Sequence, residues 1–171
     1  MKSSEFKLLV MPYSTRLYRM AYHLMNNRQE AEDIVQEVYM KLWVMRHELK
    51  NYRSIEALSI KITRNLCLDQ LRRRKVDQES LPAQKVVPGK DQTTPEDDLE
   101  KKENAQIIRN VIAALPEPQC TLVHLRHLEG KEYDEISEMV NMNVNAIRVS
   151  LSRARKQMRE MLEKQFSTWK T

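Results

Sequence analysis

Between Gly130 and Met158 the apolar residues keep a helical period, lose it for two residues, and take it up again. Tyr133, Ile136, Met139 and Val140 fall at i, i+3, i+6 and i+7; Asn141 and Met142 interrupt; then Val144, Ile147, Leu151, Ala154 and Met158 resume the period. A break of this kind predicts two helices joined by a tight turn. Asn141 suits the turn because asparagine tolerates the left-handed conformation that ends a helix, and Asn143 can cap the next helix through its side-chain oxygen. The second helix carries Arg148, Arg153, Arg155, Lys156 and Arg159 around the apolar seam. A helix-turn-helix with a basic second helix can enter the major groove of DNA while its flanks neutralise phosphates. A helical hairpin with a solvated basic face is the plainer alternative, and the rest of the chain decides between them.

Two glycines and six prolines among 171 residues, with little β-branched alternation, argue for an all-α fold. Hydrophobic residues make up 41% of the chain, enough for cores, while 31% charged residues point to small ones. The net charge of +5 permits a polyanionic partner and is unevenly spread. Residues 1–75 hold 15 Lys/Arg against 8 Asp/Glu; residues 76–103 hold 4 against 8; residues 104–171 hold 10 against 8. Basic ends therefore flank an acidic middle.

Periodicity divides the chain the same way. Phe6, Leu9 and Val10, then Leu17, Met20, Ala21 and Leu24, predict a helix over 4–25 that is broken or kinked near Pro12. Asn27 and Glu30 have capping-box spacing for a second helix, to about Arg46, with Ala31, Ile34, Val35, Val38, Leu42 and Trp43 along one face. A third starts near Ser54 and runs through Leu58, Ile62, Leu66 and Leu71 to the basic run Arg72 to Lys75. The period then disappears among Pro82, Pro88 and Gly89, which predicts a flexible linker over 76–94. Thr94 as cap and Pro95 at the first helical position announce a new helix to Leu115; Pro116 and Pro118 start the next, and Gly130 ends it. The expected architecture is two small helical domains, 1–75 and 95–171, joined by that linker, the second a helix-turn-helix.

Three groups of side chains are candidates for function. Glu32, Asp33, Gln36 and Glu37 form an acidic face on the second helix, which would repel DNA and suits either solvent or a protein partner. Asn65, Asp69, Arg72 and Arg73 lie on neighbouring turns of the third helix, where amide and guanidinium groups could address base edges and phosphates together. Cys120, His124 and His127 share a face at i, i+4 and i+7, which could ligate zinc, though a fourth ligand is lacking and the segment already has an apolar face. No Gly-rich phosphate loop, HExxH or nucleophilic constellation occurs, so neither catalysis nor a small-molecule substrate or cofactor is expected. Cys67 and Cys120 belong to no CxxC pair, which favours a reducing compartment. Leu8 to Met11, ahead of Pro12 and Arg16, are too few for a signal peptide or a membrane span, so a cytoplasmic protein without membrane insertion is expected.

With these pieces in place, the sequence resembles the extracytoplasmic-function class of bacterial sigma factors. AEDIVQEVYMKLW at 31–43 is similar to that family's second-region core helix, ITRNLCLDQLRRRK at 62–75 to its promoter-melting helix, and the stretch 114–158 to its fourth-region domain. The resemblance implies a non-catalytic subunit that binds core RNA polymerase and directs it to promoter DNA. It assigns Asp33, Gln36 and Glu37 to polymerase binding and Asn65, Asp69, Arg72 and Arg73 to the -10 element. Asn145, Arg148, Val149 and Ser152 would face the -35 element, with Arg153, Arg155 and Lys156 placed for phosphates. It further implies an anti-sigma factor as partner, and an acidic linker, with Asp91, Glu96, Asp97 and Asp98, lying in a basic polymerase channel. A helix-turn-helix regulator that acts without polymerase is the alternative reading, and a zinc enzyme centred on Cys120, His124 and His127 is a more distant one.

Overall fold

The computed structural model describes residues 1–80 and 99–167, and among them every regular element is helical. The chain divides into two units, Met1–Asp91 and Gln92–Thr171. Most of the stretch expected to be a linker, together with the Thr94 cap, Pro95 and the acidic residues Asp91, Glu96, Asp97 and Asp98, lies outside the described residues.

In the first unit, α1 (Ser3–Val10) passes through a single 3-10 turn, Met11–Tyr13, into α2 (Ser14–Met25). The turn sits at Pro12, whose ring and missing N–H disallow an uninterrupted α-helix there. Helix α2 ends on Asn26 in the left-handed conformation, φ 50°, and the neighbouring Asn27 accepts from the Glu30 amide at 3.1 Å to start α3 (Arg28–Val44). The Glu30 carboxylate does not close the expected capping box; it pairs with Arg74 of α4. Helix α4 (Ile55–Glu79) is capped by Ser54, which accepts from the Ala57 amide at 3.0 Å, and continues four residues beyond Lys75, so residues 76–79, expected to open the linker, are helical: the apolar period fades there, but no Gly or Pro breaks the helix before Pro82.

Helix α2 packs on both α3 and α4. Leu17, Met20, Ala21, Leu24 and Met25 meet Ala31, Ile34, Val38 and Leu42 of α3. The row that α4 buries differs from the expected leucines. It is Ala57, Ser59, Ile60, Thr63 and Cys67, while Leu58, Ile62, Leu66 and Leu71 are only half-buried on its flanks. Small residues let the helices approach closely, and the two hydroxyls lose nothing by burial. Ser59 Oγ donates to the Ile55 carbonyl at 2.7 Å and Thr63 Oγ1 to the Ser59 carbonyl at 2.8 Å. Arg16 of α2 also reaches Glu56 in the first turn of α4 at 2.5 Å.

In the second unit, α5 (Leu99–Ala113) leads through Pro116 and Pro118 to α6 (Gln119–Val123). This short helix runs on into one π turn, His124–Leu128, marked by the Glu129 amide donating to the His124 carbonyl at 3.0 Å. Gly130 closes it at φ +65°, and the Lys131 amide reaches back to the Leu125 carbonyl at 2.9 Å, one residue farther than in the usual glycine helix stop because the π turn precedes it. Helix α7 (Tyr133–Val140) and α8 (Val144–Ser167) form the helix-turn-helix. Asn141 adopts φ 55° and ψ 47°, and the Asn143 side chain accepts from the Ala146 amide at 2.8 Å, as the sequence predicts. Ser137 Oγ also donates to the Met142 carbonyl at 2.5 Å and fastens the turn to α7. Ile136, Met139, Val140, Ile147, Leu151 and Ala154 are buried, so the interrupted period is the core of this unit.

Candidate functional site

Three exposed surfaces hold the candidate side chains. On α3, Asp33 and Gln36 are exposed and Glu37 is half-exposed. Two of the acids are tethered along the helix: Glu32 by Arg28 at 3.2 Å and Glu37 by Lys41 at 3.9 Å. Solvent-exposed i,i+4 pairs contribute only a few tenths of a kcal/mol, so they leave the face open to a stronger partner. One turn and two turns on, Met40 is 62% and Val44 78% exposed. Positions 33, 36, 37, 40 and 44 recur at helical spacing, so the acidic cluster leads into an apolar stripe. Met40 and Val44 escape a reading of charge alone, although their spacing from Asp33 and Glu37 was the available signal.

On α4, Asn65, Asp69, Arg72 and Arg73 are all exposed on successive turns. Asp69 and Arg72 lie 3.5 Å apart, a long contact that leaves the remaining guanidinium donors of Arg72 facing water. Arg74 is diverted: it is half-buried against Glu30, and burial lowers its pKa from the ordinary value. The basic run therefore presents Arg72, Arg73 and Lys75 outward while Arg74 ties α4 to α3. The connection between α3 and α4 adds cations beyond the three groups expected from the sequence. Arg46 stacks on Trp43, 4.6 Å from the ring centroid, and Lys50, Arg53 and Tyr52, which is 41% exposed, come after it. Trp43 is itself partly exposed, edge-on to Phe6 at 5.1 Å. Cations interleaved with open aromatic rings are suited to stacking with unpaired bases.

On α8, Asn145, Arg148, Val149, Ser152, Arg153, Arg155 and Lys156 are exposed, opposite the buried Ile147, Leu151 and Ala154. The spacing 145, 148, 149, 152 forms one stripe, with Arg153, Arg155 and Lys156 toward its sides. The Arg148 guanidinium lies 5.1 Å from the centroid of Tyr133, at the start of α7.

The zinc constellation does not assemble. The π turn packs more residues into each turn and rotates the positions after His124, so Cys120 and His124 are buried while His127 faces out. His124 Nε2 lies 3.6 Å from the buried Glu129 carboxylate, and no group of three metal-ligating side chains gathers among the described residues. The His127 imidazole is held below its ordinary pKa by partial burial first, then by the charges of Arg155 and Arg126.

The first unit thus carries one acidic and apolar face and one cationic helix face, and the second a helix-turn-helix whose second helix is cationic, which is the class of a modular helical protein suited to a polyanion. Residues 9–76 match the family described as Sigma-70 region 2, and residues 105–158 match Sigma-70, region 4. The ECF RNA polymerase sigma factor SigE of Mycolicibacterium smegmatis is 31% identical over 163 residues, 93% of this chain and 62% of that protein. SigW of Bacillus subtilis, also an ECF RNA polymerase sigma factor, is 26% identical over 159 residues, 88% of this chain and 84% of the relative. Among solved structures, the sigma factor RpoE of Bartonella quintana, in complex with the anti-sigma factor NepR, superposes with a TM-score of 0.71 at 23% identity, covering 93% of this chain and 97% of that one. CnrH, in complex with the cytosolic domain of CnrY, gives 0.68 at 18% identity, covering 95% and 90%. The chain belongs to the extracytoplasmic-function class of sigma-70-type RNA polymerase sigma factors. The two regions in this order do not favour a regulator that works without polymerase.

Proposed function

We propose that the protein docks on core RNA polymerase through Asp33, Gln36, Glu37, Met40 and Val44 and directs it to promoters through two DNA faces. Asn65, Asp69, Arg72 and Arg73 engage the -10 region; Asn145, Arg148, Val149 and Ser152 read the -35 element, with Arg153, Arg155 and Lys156 on phosphates. The observation that carries this is the pairing of two exposed cationic helix faces, one in each unit, with a separate face of opposite charge. Phosphate contacts set register, a few side chains read base edges, and polymerase supplies the avidity that neither face has alone. Nothing in this division of labour needs a catalytic group, so the subunit is non-enzymatic and works in the cytoplasm beside the polymerase.

The RpoE relative was solved with an anti-sigma factor, and a partner of that kind covering the acidic face and the basic helices would hold this chain inactive. Reconstitution tests the function directly. Purified chain is mixed with sigma-free core polymerase and genomic fragments, and transcript starts are mapped. A shared upstream element at the mapped starts is expected, and failure of the chain to co-elute with core polymerase would sink the proposal. Charge reversal of Asp91, Glu96, Asp97 and Asp98 should in turn change the yield of abortive RNA if that stretch occupies the polymerase channel.

A further inference from the structure

The geometry points to Tyr133 as a positioning residue for Arg148, and through it as a determinant of how sharply α8 prefers one base; this rests on the promoter reading above. Tyr133 opens α7 but does none of the capping there, which is done by the neighbouring carboxylates, Glu135 accepting from the Glu132 amide at 2.8 Å. Its half-buried ring is met by two guanidiniums, Arg126 at 4.6 Å and Arg148 at 5.1 Å from the centroid. Arg126 is anchored independently. Its Nη1 donates to the Lys131 carbonyl at 2.8 Å and lies 3.4 Å from a Glu132 carboxylate oxygen, which also offsets the repulsion between the two cations. The Lys131 amide is tied to Leu125 in the turn closed by Gly130. A chain of contacts thus runs from that turn through Arg126 and Tyr133 to a side chain on the exposed face of the second helix.

The consequence lies in side-chain entropy. A free arginine samples many rotamers, and ordering it at a base edge opposes binding. A guanidinium stacked on a ring keeps its N–H donors in its own plane, so stacking restricts the side chain without consuming the fork that reads a base. Tyr133 therefore sharpens selection at the position Arg148 addresses more than it raises general affinity.

The test uses the full chain with core polymerase, transcribing a library in which the upstream element of a mapped promoter is randomised. Arg148→Ala identifies the position that this arginine reads by flattening its base preference. Tyr133→Leu should weaken preference at the same position by about two- to fivefold, the range of an exposed cation–π contact, and leave the other positions as they were. Tyr133→Phe keeps the ring and should keep the preference. In the free protein, 15N relaxation at the Arg148 Nε should report faster motion in Tyr133→Leu than in wild type or Tyr133→Phe, with thermal unfolding confirming that all three fold. The inference is overturned if Tyr133→Leu leaves that position sharp, weakens every position alike, or is matched by Tyr133→Phe. If Arg148→Ala flattens no position, the base-reading assignment falls and takes the inference with it, a pattern distinct from failure of the positioning alone.

Discussion

Helices α4 and α8 are nearly equal in length and both turn a basic face to solvent, yet they are held by different means. Helix α8 buries a row of Ile147, Leu151 and Ala154 and leaves Arg148, Arg153, Arg155 and Lys156 outward. Helix α4 buries Ile60 among small and hydroxylated residues, keeps its leucines half-covered, and spends Arg74 on a cross-helix pair with Glu30. The difference teaches that a run of basic residues overstates a DNA surface wherever tertiary packing recruits one of them. It also separates two ways of seating a long helix: branched side chains against the short helices α6 and α7, or a row made mostly of small residues with polar groups satisfied inside the helix.

The sharpest test of that contrast is stability. Leu151→Ala should cost about 2–5 kcal/mol in the second unit, as for a fully buried leucine, whereas half-exposed Leu58→Ala should cost about 1 kcal/mol. Urea titration followed by circular dichroism measures both, and equal losses would erase the distinction. Next in size, Asp33→Lys or Met40→Asp should weaken binding to core polymerase by about tenfold or more, while Arg73→Ala leaves it unchanged, read by fluorescence titration of labelled chain. Loss of binding in Arg73→Ala instead would merge the two faces of the first unit.

Smaller effects probe the turn and the surface of the second unit. Asn141→Ala, forced into the left-handed region, should cost about 1 kcal/mol, and Asn141→Gly should cost little because glycine enters that region freely. Thermal midpoints would separate them. The least effect concerns His127. Its folded pKa lies below the ordinary 6.5, so the unfolded chain binds the proton more readily and stability declines as pH falls through 6.5 toward the lowered value. In His127→Gln that portion of the slope should vanish, and urea midpoints across mildly acidic pH would show whether it does.

Much of the second unit was legible in the sequence. The period from Tyr133 to Met158, the left-handed Asn141, the Asn143 cap and the Gly130 stop are local choices, and each residue carries its own conformational preference. The same holds for the break at Pro12 and the start of α4 at Ser54, although the 3-10 form of the first and the capping bond of the second came only with the structure. Exposure of Asn65, Asp69, Asn145 and Arg148 also derives from spacing once a helix and its apolar face are known.

Other features depend on the residues across the interface. Hydropathy favoured Leu58, Ile62, Leu66 and Leu71 as the buried row of α4, but packing against α2 and α3 selects Ala57, Ser59, Ile60, Thr63 and Cys67. Glu30 left its expected cap for Arg74, and the π turn moved His127 off the face of Cys120 and His124. The stacking of Arg126 and Arg148 on one tyrosine joins residues from three segments. Sequence by itself determined the helices, the caps and turns at Asn27, Asn141, Asn143 and Gly130, and the order of the two regions, because those depend on each residue's backbone preferences and its neighbours within a turn or two. Only the tertiary structure decided which small residues are buried and which cations are left to bind, because burial and pairing are set by atoms far away along the chain.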